Sequence, residues 1–122
     1  MHNLKQNIIV EKTVKFALQI IELAELLESK NKFVVAKQLS KSGTSIGANV
    51  REAQNAESKA DFIHKMKIAA KEADETEYWL FLCQNSKNYP NCEILQLEIQ
   101  EIIKIISKII SSSKSKLLSS KV

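Results

Sequence analysis

Between Gln38 and Ala53 the chain keeps the apolar spacing of a helix while placing both of its glycines inside it. Leu39, Gly43, Ile46, Val50 and Ala53 follow one another at steps of four, three, four and three, the seam of a helix packed in a bundle. Gly43 and Gly47 sit one turn apart, and each costs about 1 kcal/mol relative to alanine in a helix interior. Something must offset that cost, and a closely approaching neighbouring backbone is the simplest expectation. A second stripe of small or polar residues, Ser42, Ser45, Asn49 and Glu52, runs beside the apolar one. The segment therefore predicts a tightly packed helix with a structurally demanding face, and it excludes a strand.

The rest of the chain repeats this pattern. A first helix is expected over about residues 8–30, with two apolar seams: Val10, Val14, Ala17, Ile21 and Ala24 on one, Phe16, Ile20, Leu23 and Leu27 on the other. One seam can face the bundle, which leaves the other partly exposed unless a further subunit covers it. The second helix spans about 33–55. Ser58 then offers an N-cap, with Asp61 three residues on, to a third helix over about 59–86. Its seam is Phe62, Met66, Ala69, Ala73, Thr76, Leu80 and Cys83, and it is on the order of 40 Å long at about 1.5 Å per residue. Pro90, within a turn-forming stretch, closes off anything before it. A fourth helix over about 92–110 carries Leu95, Ile99, Ile102, Ile106 and Ile109 on one seam, and residues 111–122 read as a serine- and lysine-rich tail, frayed or disordered. Four amphipathic helices on short connections predict an all-α, antiparallel up-and-down four-helix bundle in one domain.

A chain of 122 residues is long enough to fold on its own core without staples. Cys83 and Cys92 are too few for a disulfide framework and lack zinc-site spacing, so reduced thiols in the cytoplasm are expected. Neither a signal peptide nor a membrane span is indicated. The formal net charge is +4, and the surplus of basic side chains lies in residues 31–57 and 91–122, the other segments being balanced. Such a distribution suits a polyanion, and equally an ordinary solubilising surface.

Few residues suggest catalysis. On the third helix Ile68, Glu72, Glu75, Trp79 and Leu82 form a stripe in which two carboxylates interrupt an apolar line; with Glu52 and Asn49 they raise the idea of a di-metal bundle. That centre needs a Glu-x-x-His pair on each of two helices. His64 has Asp61 in the glutamate position and His2 is terminal, so no metal and no other cofactor is expected. Pairing with Arg51, Lys71 or backbone donors is the better expectation for these carboxylates. The hydroxyls of Ser42, Thr44 and Ser45 have no histidine on their helix to serve as a base. Ser42–Gly47 lacks the ending of a phosphate loop, and Cys83 reads as a small core residue.

The run from Gln38-Leu39 through Ser42-Gly43-Thr44-Ser45-Ile46-Gly47-Ala48-Asn49-Val50 to Glu52-Ala53 resembles the proteins encoded in intervening sequences of bacterial 23S ribosomal RNA genes. Ser58-Lys59, Asp61-Phe62-Ile63 and Lys65 continue the likeness, as do Ile68-Ala69, Lys71-Glu72-Ala73, Glu75-Thr76 and Tyr78-Trp79-Leu80. Glu11-Lys12-Thr13 and Phe16-Ala17 are similar to the family's opening helix. The resemblance is close over about residues 8–85 and holds only in character for the last helix. It implies a bacterial, cytoplasmic, non-enzymatic four-helix bundle that assembles as a ring, with pentamers expected. The fold is also similar to that of the accessory protein of diversity-generating retroelements, a basic pentamer that binds nucleic acid and a reverse transcriptase.

The function expected from these observations is binding of structured RNA or DNA by a homo-oligomer, through Lys37, Lys41, Arg51, Lys104, Lys108, Lys114 and Lys116. Aromatic residues are only 6% and are not interleaved with the lysines, so contacts to phosphates are expected rather than base stacking. Structural or interface roles are expected for Ser42, Gly43, Ser45, Gly47, Asn49, Glu52, Glu72, Glu75 and Trp79. The alternative is a scaffold or accessory subunit that presents its surface to another protein.

Overall fold

A computed structural model describes residues 4–120, with side-chain surroundings from Ile8 onward. Met1–Asn3 and the last two residues of the expected tail, Lys121 and Val122, lie outside the described residues. Four helices follow in order: α1 (Leu4–Ser29), α2 (Phe33–Gln54), α3 (Lys59–Asn85) and α4 (Glu93–Ser120). Each packs on its neighbours in the order α1, α2, α3, α4 and back to α1, while α1 and α3, like α2 and α4, stand diagonally across the core. This is an antiparallel up-and-down four-helix bundle.

Local chemistry sets the helix ends. Asn31 adopts a left-handed conformation with φ 61° and closes α1: the Lys32 N–H reaches Leu27 O at 2.8 Å and the Asn31 N–H reaches Glu28 O at 2.9 Å. That double closure is a Schellman motif, and asparagine tolerates the left-handed residue better than most. Ser58 caps α3, its Oγ accepting from the Asp61 N–H at 3.0 Å, while Asp61 Oδ2 accepts from the Glu57 N–H at 3.2 Å. Ahead of α4, Asn91 Oδ1 accepts from the Glu93 N–H at 2.8 Å, and Gln84 Oε1 reaches over from α3 to take the Cys92 N–H at 2.7 Å. Lys32 lies 5.0 Å over the Tyr89 ring, tying the α1–α2 turn to the α3–α4 connection at the same end of the bundle.

The core takes one of the two expected seams of α1. Phe16, Ile20, Leu23 and Leu27 are buried together with Ile9 and Thr13. On the other seam Val14 and Ile21 are exposed, Val10 and Ala17 half-buried, and Ala24 alone is buried. From α2 come Leu39, Gly43, Ile46, Val50 and Ala53; from α3, Met66, Ala69, Ala73, Thr76, Leu80 and Cys83; from α4, Ile99, Ile102, Ile106 and Ile109.

Two features differ from the sequence expectation. The stretch from 111 is not a frayed tail as far as it is described: α4 runs on to Ser120. Ser113 stands four residues beyond Ile109 on the same seam and is buried, and Leu117, four further on, is half-buried, so the helix keeps its footing after the isoleucines end. At the glycines, the expected close neighbour is chiefly a side chain. A Cβ on Gly43 would lie 2.8 Å from Ile20 Cγ2 and 2.9 Å from Ile20 Cγ1. At Gly47 it would meet Thr13, at 3.3 Å from Oγ1 and 3.4 Å from the backbone O. The α1–α2 pair therefore closes by seating α1 side chains on bare α2 backbone, and the lost helix propensity is offset by that packing.

Candidate functional site

The small-residue stripe of α2 is spent on its own backbone and on α3. Ser42 Oγ donates to Gln38 O at 3.0 Å, Ser45 Oγ to Lys41 O at 2.6 Å, Thr44 Oγ1 to Ser40 O at 2.7 Å, and Asn49 Nδ2 to Ser45 O at 2.9 Å. Such bonds to the preceding turn satisfy a hydroxyl without another element. Across to α3, Ser42 Oγ and Thr76 Oγ1 lie 2.9 Å apart, both side chains buried, and Thr76 Oγ1 is also 2.8 Å from Glu72 O. Between the two hydroxyls one donates and the other accepts, so the polar atoms on this part of the seam are matched. Thr76 was legible as a seam position; its partnership with Ser42 was not.

The carboxylates do not converge. Glu52 pairs with Lys65 at 3.2 Å, not with Arg51 or Lys71 as expected, because the α2–α3 hairpin brings Lys65 level with it. Glu72 and Glu75 lie about two turns further along α3 and make no ion pair among the described residues. Burial raises the Glu72 carboxyl above its ordinary value, the charge of Glu75 and a hydrogen bond with it add to this, and Lys41 and Lys71 act in opposition. No three His, Cys, Asp or Glu side chains gather in a metal-holding group among the described residues. Trp79 is half-buried against the core, edge-on to Tyr78 with ring centroids 5.5 Å apart. Cys83 and Cys92 are both buried free thiols. Cys83 Sγ donates to Pro90 O at 3.9 Å and Cys92 Sγ to Leu80 O at 3.3 Å; the adjacent Cys83 thiol, with burial, drives the Cys92 thiol up, and Cys92 in turn draws Cys83 down against its own burial.

All seven side chains expected to meet a polyanion are exposed, and none is in an ion pair among the described residues. They do not form one patch within a single chain. Lys37, Lys41 and Arg51 stand on α2, and Lys104, Lys108, Lys114 and Lys116 on α4, its diagonal opposite. Sequence reasoning missed Lys67 of α3, which the fold places beside Lys114. The adjacent Lys114 ammonium holds the exposed Lys67 ammonium below the usual lysine range. No local signal joins residues 47 positions apart; only the α3–α4 register does.

Two grooves on opposite sides complete the surface. On the α1–α2 side, Val10, Val14, Ala17 and Leu18 form an apolar strip bordered by Thr44, Ala48 and Arg51. At Thr44 it meets a hollow between Glu28, Phe33, Lys37, Ser40 and Lys41. On the α3–α4 side, Tyr78 and Phe81 stand out beside Asp74, Glu77, Gln96 and Gln100. Ile94 and Leu97 are exposed on α4. No helix among the described residues is long and apolar enough to cross a membrane.

These features define an all-α bundle with a buried Ser42–Thr76 contact inside and, outside, seven cations that make no ion pair among the described residues. The chain belongs to the 23S rRNA-intervening sequence protein family, matched over residues 5–111. It is similar to a protein of unknown function from the S23 ribosomal protein family of Bacteroides thetaiotaomicron, whose crystal structure superposes with a TM-score of 0.84 at 44% identity, covering 88% of this chain and 99% of that one. No curated protein matches the chain.

Proposed function

We propose that the chain is a non-enzymatic, cytoplasmic homo-oligomer, assembled as a pentameric ring, that binds structured RNA or DNA through exposed basic side chains. The observation that carries this reading is the set of seven exposed cations without carboxylate partners among the described residues. A lysine free of intramolecular pairing keeps its charge for phosphate, where released counterions drive association. Assembly supplies what one chain lacks. A single copy carries a formal +4 with its cations on two diagonal helices, whereas a ring repeats both sets around its circumference and sums their field. The ribosomal-protein name of the solved relative's family is consistent with RNA as the polyanion.

The test is fluorescence anisotropy of nuclease-treated protein with a structured RNA and a DNA duplex across a salt series, with native mass measured in the same buffer. The expected result is a linear fall of log affinity with log salt, with the affinity and the slope both lowered by Lys104→Glu with Lys108→Glu while the native mass is kept. An intact oligomer that binds neither nucleic acid at low salt would overturn the reading and leave the protein-scaffold alternative.

A further inference from the structure

We propose that Cys83 and Cys92 are a reversible oxidation site, at which a hydroperoxide converts the two thiols into a disulfide that pins the α3–α4 connection. Neither assembly nor nucleic-acid binding uses either thiol, so the site stands apart from both.

Crossed contacts place the pair. Cys83 lies in the last turn of α3, and its Sγ donates to Pro90 O of the connection at 3.9 Å. Cys92 lies just ahead of α4, and its Sγ reaches the other way, donating to Leu80 O at 3.3 Å. Leu80 is about one helical turn before Cys83, so the carbonyl that Cys92 meets points along the helix towards Cys83. A third bond fixes the backbone between them: the Cys92 N–H donates to Gln84 Oε1 at 2.7 Å. Each sulfur therefore reaches into the other's segment, and both are buried in one apolar cluster. Their acidities agree with this placement, since Cys92 draws the Cys83 thiol below its ordinary value while Cys83 and burial raise that of Cys92.

Two adjacent thiols have a route that a lone buried cysteine lacks. Oxidation of a lone thiol runs on from the sulfenic acid to irreversible products, whereas a neighbouring thiol intercepts it as a disulfide. Cys83, the thiol drawn down, is the attacking group. Its thiolate takes one oxygen of the hydroperoxide, the O–O bond breaks, and the departing oxygen takes up the proton that Cys83 released. Cys92 Sγ then attacks the sulfenic sulfur: the S–S bond forms, the S–O bond breaks, and the hydroxyl leaves as water with the Cys92 proton. The pair has given up two electrons, and the hydroperoxide has been reduced to an alcohol or water.

Access comes through the connection. Residues 86–92 belong to no helix, and Asn88 among them holds a left-handed φ of 65°. The thiols rest reduced in a reducing compartment and react when this corner opens. The bond, once formed, holds the connection against α3, and the Lys32–Tyr89 contact passes that restraint to the α1–α2 turn.

The test treats the full, reduced chain with dilute hydrogen peroxide under native conditions and follows intact mass and peptide maps. The expected product is about 2 Da lighter, carries no added oxygen, yields a peptide linking Cys83 to Cys92, and reverts with dithiothreitol. In Cys92→Ala no second thiol intercepts the sulfenic acid, so Cys83 should gain oxygen instead. Hydrogen exchange of the amides from Ser86 to Tyr89 should slow in the oxidised wild type. A wild-type chain that gains oxygen as the variant does, links only between chains, or stays unlinked until urea unfolds it would overturn the proposal. So would exchange across residues 86–89 that oxidation leaves unchanged, because the bond would then pin nothing.

Discussion

At the scale of single residues, Gly43 and Gly47 look equivalent in the sequence and are not equivalent in the fold. A methyl on Gly43 would enter the space of a fully buried, β-branched Ile20, at 2.8 Å from Cγ2. Ile20 has little rotamer freedom with which to retreat. Overpacking of this kind costs about 1–3 kcal/mol, of which the gain in helix propensity returns about 1 kcal/mol, so Gly43→Ala should destabilise by up to about 2 kcal/mol. At Gly47 the nearest atom would be Thr13 Oγ1 at 3.3 Å, a small adjustment away, and Gly47→Ala should stay within about 0.5 kcal/mol of wild type. Urea unfolding of the two variants checks the contrast; equal destabilisation would mean that the close approach at Ile20 is not what Gly43 serves. Glu72 gives a pH-dependent counterpart. Burial first, then Glu75, raise its folded-state carboxyl, so the folded chain holds that proton to higher pH than the unfolded chain does. The associated stability is full below the ordinary carboxylate value and is lost as pH rises through the raised one. Glu75→Gln should therefore stabilise by about 0.2–0.5 kcal/mol at neutral pH, the range for relieved like-charge neighbours on a helix, and the gain should fade as pH falls and Glu72 takes up its proton.

At the scale of the helices, the end of α4 offers the clearest departure from sequence reasoning. Composition after Ser111 is that of a solvated tail, and it hides the continued spacing of Ile109, Ser113 and Leu117. Hydrogen exchange separates the two readings. The amides from Ser113 to Leu117 should be protected well above unstructured-chain rates, because their carbonyl partners belong to a helix seated on the bundle. The α3–α4 connection can be followed in the same spirit through Cys83 and Cys92, which are buried and should react with a thiol reagent only as fast as this corner opens. The helix faces themselves were legible wherever the apolar pattern had one solution. On α2 the seam from Leu39 to Ala53 is the buried face without exception. On α1 two aliphatic seams competed, and spacing has no means of choosing between them. The choice lies with α2, whose bare glycines accept Ile20 and Thr13. Partners across helices were legible least of all. Glu52 with Lys65, Ser42 with Thr76, and Lys67 beside Lys114 depend on hairpin register, which loop geometry and packing set jointly.

For the whole molecule, the proposed assembly and the proposed polyanion binding make separable demands on charge. Lys37 and Lys41 border the α1–α2 hollow, whereas Lys104 and Lys108 stand on α4, diagonal to α2 and away from that hollow. Reversing Lys104 and Lys108 should then weaken RNA binding without altering native mass, and should lower the salt slope by roughly 0.7–0.9 for each phosphate that a chain no longer neutralises. Leu18→Asp, placed in the exposed apolar strip of α1 that a further subunit would cover, should do the reverse. It leaves every cation in place but removes the neighbour, so each chain binds as a single module. Joining several modules raises effective concentration, and undoing that linkage typically costs roughly 10²–10⁴ in avidity while every phosphate-binding side chain stays in place. The expected outcome is a monomer whose affinity for a long structured RNA collapses while its affinity for a duplex short enough to engage one chain is unchanged. Equal weakening on both lengths would show that Leu18 contributes to the nucleic-acid surface directly. Unchanged affinity on the long RNA would show that one copy suffices and that the ring serves some other end.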